Sequence, residues 1–197
     1  MVLKKIFLLF FLICFVSCQS NKIYVLVEPG KVQIENIYSA DTNKKWSQFQ
    51  DRDYNFLFWT VDGYTLERIV FFKPVEDGRS IFDNDRLIIS ESEKRPTFDS
   101  KMNKFEMKEF FENCIIWSRE FTNFKTENIE NYKIGDVEGI SFDINAQNEL
   151  GLNYKGFAIA AIKDKKFYSI YFIATEVEFY EQYKKEAKKI ISSVKIL

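Results

Sequence analysis

The chain has 197 residues, 28 Lys and Arg against 29 Asp and Glu, a formal net charge of −1, and no histidine. A near-neutral balance with no concentrated basic face argues against a nucleic-acid binder. The missing histidine excludes Ser–His–Asp and Cys–His nucleophile arrangements and removes the commonest metal ligand.

Lys4 and Lys5 open the chain, and Ile6 to Val16 is an uncharged apolar run. Ser17 then stands directly before Cys18. This is the order of a secretory signal, whose apolar region is usually about 7–15 residues long. The run is too short to span a bilayer, which takes roughly 20 residues. With a cysteine at the cleavage point, the segment resembles a bacterial lipoprotein signal. That resemblance implies a signal peptide over residues 1–17, with Cys18 as the lipidation site and first mature residue, carrying a fatty acyl (palmitate-type) membrane anchor. Val16 and Ser17 fit the lipoprotein pattern, whereas Phe15 stands where an aliphatic residue is usual. The alternative is an ordinary signal cut near Ser17 or Ser20. Gln19, in place of Asp, implies the outer membrane rather than retention at the inner one.

Losing Lys4 and Lys5 leaves 26 basic against 29 acidic residues, a net charge of −3. Cys14 leaves with the signal and Cys18 is taken by lipid, so Cys114 is the remaining thiol. One thiol forms no internal disulfide and cannot build a zinc site, which takes about four N or S ligands. The stabilising core must come from the aromatic residues, 17% of the chain. Each such ring buries roughly 150–250 Å².

Residues 18–31 read as a lipidated N-terminus and tether, although Ile23 to Val27 could pair as a short first strand. Residues 32–197 read as a single domain. Val32 to Tyr38 alternates imperfectly as a strand, and Ser39 to Asp53 is polar and turn-rich. Tyr54–Thr60 and Tyr64–Phe72 form a hairpin about Val61-Asp62-Gly63, because Asp-Gly supplies the positive φ of a tight reversal. Asp77-Gly78 is a second turn, and residues 79–100, with Pro96, read mostly as loop.

A helix is predicted around Met102–Ser118, with Met107, Phe110, Phe111, Cys114 and Ile115 on one face and Asn103 with Glu106 as its capping pair. Phe121–Tyr132 reads as an edge strand, and Val137–Asn145 alternates. Tyr154–Ile162 and Phe167–Ala174 are near-continuous apolar runs, expected of central strands covered on both faces. A second helix is predicted over Val177–Ser193, with Thr175 and Glu178 as a capping box. Its solvent face would be Glu181, Lys184, Lys185, Glu186, Lys188 and Lys189. The fold class is therefore α/β (α+β): an antiparallel sheet with two main helices packed on it.

Several stretches carry a family likeness. They are Trp59 to Gly63 with Leu66, Phe71-Phe72, Asp77-Gly78, Ile81-Phe82, Pro96, Phe98 and Met102, then Tyr154-Lys-Gly156, Tyr171, Phe179-Tyr180 and Ile190 to Val194. Over most of residues 55–195 the chain resembles a family of uncharacterised bacterial lipoproteins. Positions that are usually Arg in that pattern are Lys or absent here. The element order also resembles the α/β/α sandwich of the PsbP and Mog1 proteins, from which no functional residue carries over.

Candidate chemistry is sparse. Cys114 sits at core spacing, where cysteine behaves as a small hydrophobe. Among Asp51, Asp53, Asp62, Asp77, Asp83 and Asp85, the run Asp83-Asn84-Asp85 opens like a calcium loop. The required Gly and Glu would fall on Ile88 and Lys94, so no metal site follows. Asp62 and Asp77 precede glycine and suit turns. Trp59, Tyr64, Trp117 and Tyr154 either pack the core or line a ligand groove. The expectation is a non-catalytic, membrane-anchored envelope lipoprotein with no cofactor and no metal, binding a partner protein or assisting envelope assembly. The alternative is a small-ligand-binding lipoprotein with a cleft between the sheet and the 79–100 loop.

Overall fold

The computed structural model describes residues 22–51, 54–83 and 94–197. The signal segment and Cys18 lie outside the described residues, as do Asp53, Asn84, Asp85 and Ile88. In chain order the strands are β1 (Lys22–Val27), β2 (Gly30–Ile34), β3 (Tyr38–Thr42), β4 (Trp46–Asp51), β5 (Phe56–Thr60), β6 (Glu67–Phe72) and β7 (Val75–Glu76). Helix α1 (Lys104–Ser118) follows, then β8 (Asn123–Ile134), β9 (Val137–Gln147), β10 (Asn153–Lys163) and β11 (Lys166–Thr175). Helix α2 (Phe179–Ser193) and β12 (Lys195–Ile196) complete the described chain.

The main sheet is antiparallel, in the order β1-β4-β5-β6-β11-β10-β9-β8, with the short β7 paired to β11. A small sheet, β12-β3-β2, shares no ladder with it and packs into the α2-side core through Ile34, Tyr38 and Ala40. The two apolar runs are indeed the central hairpin β10–β11. Side chains alternate across a strand, so Phe167, Tyr171 and Ile173 join the core under α1. Ile170, Phe172 and Ala174 join the core under α2. The result is a sheet with one helix on each face.

Helix α1 begins as its sequence predicts. Asn103 Oδ1 accepts from the backbone N–H of Phe105 and Glu106 at 2.9 and 3.2 Å, and Glu106 Oε2 accepts from Asn103 N at 2.7 Å. The capping box expected for α2 does not form. Its N-cap is Glu178, with no side-chain cap bond, and Thr175 Oγ1 instead donates to the carbonyl of Val177 at 3.1 Å. Thr175 is still paired in β11 at that point, so its hydroxyl is not placed over the helix end. Glu186, expected on the solvent face of α2, is buried and accepts from Asn43 N at 3.4 Å.

The N-terminal third differs most from the expectation. Residues 22–27, placed in the tether with Ile23–Val27 noted as able to pair as a short first strand, do form the edge strand β1, paired along β4. The polar stretch 39–53 supplies β3 and β4. Long-range pairing overrides the local pattern there, because strand preference mainly reflects how well residues fit against their neighbours. The β5–β6 strands are shorter than expected, and residues 61–66 form the connection.

Candidate functional site: an aromatic groove beside a buried arginine

Helix α1 packs over β8 and β9, at one end of the main sheet. The α1-side face of β1, β4 and β5 extends beyond it and forms the floor of an open cavity of about 690 Å³. The strand register places Tyr24, Phe49, Phe58 and Val70 in one row across β1, β4, β5 and β6. Tyr24 meets Phe49 edge-on at 5.1 Å between ring centroids, and Phe49 stacks on Phe58 at 4.9 Å. Phe56 extends the floor, stacked on Tyr54 at 5.3 Å. Phe82 and Tyr64 form further walls, and Ser118 and Glu120 close the inner end where α1 stops. The volume lies within the roughly 300–1,000 Å³ of small-molecule sites.

Behind that wall lies Arg68 on β6, with 2% of its side chain exposed. It forms an ion pair with Glu120, whose side chain is 26% exposed. Its Nη1 donates to the carbonyl of Tyr64 at 2.8 Å, and its guanidinium lies 4.1 Å from the centre of the Tyr64 ring. The Tyr64 hydroxyl donates to Glu120 Oε1 at 2.6 Å. Burial works against the charge on Arg68. Glu120 beside it, and the hydroxyl of Tyr171, outweigh that effect and hold the guanidinium protonated above its ordinary range. Its Nε has no hydrogen-bond partner among the described residues. Arg68 therefore fixes two groove walls, Tyr64 and Glu120, from beneath.

The turn that carries Tyr64 is itself anchored. Glu67 is fully buried and its Oε1 accepts from Val61 N at 2.6 Å and Asp62 N at 2.7 Å. The Thr60 hydroxyl lies 2.9 and 3.0 Å from the two Glu67 carboxylate oxygens. Asp62 accepts from the Tyr183 hydroxyl at 2.5 Å, which ties the turn to α2. Gly63 sits at φ +128, a conformation that side chains resist.

Of the four aromatic residues considered as groove-lining from sequence, only Tyr64 lines the cavity. Trp59 points to the α2 side and donates to Gln48 Oε1 at 3.0 Å. Trp117 is buried at the end of α1, with the Arg95 guanidinium 4.7 Å from its ring centre. Tyr154 is buried against Phe121 and donates to the carbonyl of Thr65 at 2.9 Å. Cys114 is buried with its sulfur 3.7 Å from the Ser80 hydroxyl, and burial pushes its thiol up to about 12. A protonated, enclosed thiol is not a nucleophile. Asp77 accepts from Ser100 N at 2.5 Å and Asp83 pairs with Arg79 and Arg95, so both are structural. No cluster of potential metal ligands occurs among the described residues.

Sequence reasoning missed Phe49, Phe56, Phe58, Arg68 and Glu120. One signal was available: the charged pair Glu67-Arg68 opens a strand that is otherwise apolar through Phe72. A charged pair there marks buried, partnered groups.

The architecture is a PsbP-like α+β fold, an antiparallel sheet with a helix on each face. Over 93% of its length the chain is similar to the solution structure of the cyanobacterial PsbP protein (CyanoP) from Synechocystis sp. PCC 6803. That likeness has a TM-score of 0.57, 8% identity and cover of 96% of the other chain. At that identity the likeness establishes the fold alone. The chain is also similar to a crystal structure from Bacteroides thetaiotaomicron VPI-5482, at 13% identity and a TM-score of 0.49 over 87% of this chain. It spans about half of that structure, 49%. No family model matches the chain, and no curated protein matches its sequence.

Proposed function

We propose that this chain is a non-catalytic lipoprotein of the bacterial cell envelope, held in a membrane, the outer one, by lipid on Cys18. In this reading it binds an apolar ligand in the aromatic groove. The observation that carries the binding role is the open cavity floored by Phe49, Phe56 and Phe58. The half-covered Phe49 and Phe56 rings, beside the buried Phe58 and a paired charge, suit recognition by shape and apolar contact, with few polar groups to orient the ligand. The non-catalytic reading is supported by the missing histidine and by the enclosed, protonated Cys114. The anchor is supported by the residue order through Cys18.

Two measurements test it. Cys18→Ala should abolish metabolic labelling by a radiolabelled fatty acid and move the protein into the soluble envelope fraction; persistent labelling refutes the anchor. The soluble Cys18→Ala protein should enhance the fluorescence of 1-anilinonaphthalene-8-sulfonate. Adding Ser47→Trp, an exposed position on the groove side of β4, should suppress that signal at unchanged stability. An equal signal in both proteins refutes the groove as the binding site.

A further inference from the structure

We propose that the aromatic groove takes an acyl chain of a membrane lipid, entering from the bilayer that holds the Cys18 anchor. The proposal rests on the lipid-anchor reading and adds the ligand class and its route.

The first observation is the edge of the sheet. Tyr24, Val25 and Leu26 are consecutive on β1 and are 73%, 46% and 56% exposed. A sheet edge with three exposed apolar side chains is a liability in water, and natural proteins normally protect such edges with charge or cover. Tyr24 belongs both to this edge and to the groove, so the two are continuous. An amphipathic tyrosine at that mouth suits a membrane–water interface.

The second observation is reach. Four residue steps separate Cys18 from Lys22, where β1 begins. An extended chain covers at most about 14 Å in four steps. The polar headgroup layer of one leaflet is about 5–8 Å thick. A lipid on Cys18 therefore keeps the β1 edge close to the bilayer surface, and the groove mouth with it. The tether supplies the high effective concentration that lets a weak apolar site fill.

The third observation is the character of the groove. Its floor is Phe49, Phe56 and Phe58, which offer an unbranched chain continuous apolar contact. The charge of Glu120 at the inner end is compensated by Arg68 and the Tyr64 hydroxyl. A bilayer lipid fits the edge, the reach and the groove together. A protein strand added to β1 would use the edge and leave the groove unfilled.

The test uses the full lipidated protein, reconstituted in phosphatidylethanolamine–phosphatidylglycerol vesicles containing a phospholipid with a diazirine at the end of one acyl chain. After irradiation, peptide mass spectrometry maps the labelled residues and the mass of the Cys18 peptide reports the anchor. The expected result is label on Phe49, Phe56, Phe58 or Tyr64, reduced at least about tenfold by Ser47→Trp with the Cys18 lipid unchanged. Cys18→Ala, added to the same vesicles, should need roughly a hundredfold more probe lipid for equal groove labelling. Lipid on Cys18 with label confined to β1, or with β1 joined to another protein strand and no groove label, overturns the proposal while leaving the anchor reading intact. Stronger groove labelling in Cys18→Ala than in the lipidated protein overturns it in favour of the protein's own Cys18 chain. An unmodified Cys18 peptide refutes the anchor reading, and with it the route proposed here.

Discussion

Arg68 and Glu120 form a charge pair whose two members sit in different surroundings, so breaking it from either side should have unequal effects. Glu120→Leu leaves the guanidinium 2% exposed and without its counter-ion. Stranding a buried charge in this way costs about 3–5 kcal/mol. Arg68→Met leaves Glu120, 26% exposed and still receiving the Tyr64 hydroxyl at 2.6 Å, with access to water. That change should cost about 1–3 kcal/mol, mainly through donors lost at the Tyr64 carbonyl and the Tyr171 hydroxyl. The double variant should lose less than the sum, because an apolar replacement of both partners removes the stranded charge. Urea unfolding at neutral pH, with an unchanged m-value, measures all four proteins. For a domain of this size each kcal/mol shifts Tm by about 2–4 °C, so Glu120→Leu should melt roughly 6–20 °C lower. A larger loss for Arg68→Met than for Glu120→Leu, or strict additivity in the double variant, would refute the assignment of Arg68 as a buried cation held by Glu120.

Cys114 should resist iodoacetamide at pH 8 in the native protein and react on unfolding, since burial raises its thiol from 9.0 to about 12. Above pH 9 the unfolded thiol ionises while the folded one keeps its proton. Stability should then fall by up to about 1.4 kcal/mol per pH unit, and Cys114→Ala should flatten that decline between pH 9 and 10. Cys114→Ser should cost about 1–3 kcal/mol by burying an extra polar group and leave probe binding in the groove unchanged. Gly156→Ala places a methyl group 2.2 Å from the Phe172 carbonyl oxygen across β10 and β11. Its cost should lie at the upper end of the roughly 1–3 kcal/mol of overpacking, lowering the thermal midpoint by about 6–12 °C, and an unchanged midpoint would contradict that strand register. Asn103→Ala removes the α1 capping box and should cost about 0.5–2 kcal/mol in a urea titration.

Much of the C-terminal half was legible in the sequence. The capping pair Asn103–Glu106 and the one-face spacing from Met107 to Ile115 depend only on residues within a few turns of one another. The β10–β11 hairpin was legible for the same reason, its strands being joined by residues 163–166. The N-terminal third was not. Ile23–Val27 could be read as a short strand, but its pairing with β4 from Lys22↔Asp51 to Val27↔Trp46 could not, because no local period announces a partner so far along the chain. Thr175 and Glu178 have the spacing of a capping box, yet the pairing of Thr175 in the sheet decides where its hydroxyl lies.

By itself the sequence determined the absence of histidine and two helices about an antiparallel sheet, while the export and anchoring signal through Cys18 stands as an expectation. Only the tertiary structure decided which part of the sheet the helices leave open. Coverage depends on strand order, which brings β1, β4 and β5 together beyond the reach of α1. The same packing hides Trp59 and Tyr154 while exposing Tyr24, and buries Arg68 beside Glu120 across 52 residues of chain. Residue type indicates that such groups need partners; the fold alone supplies them.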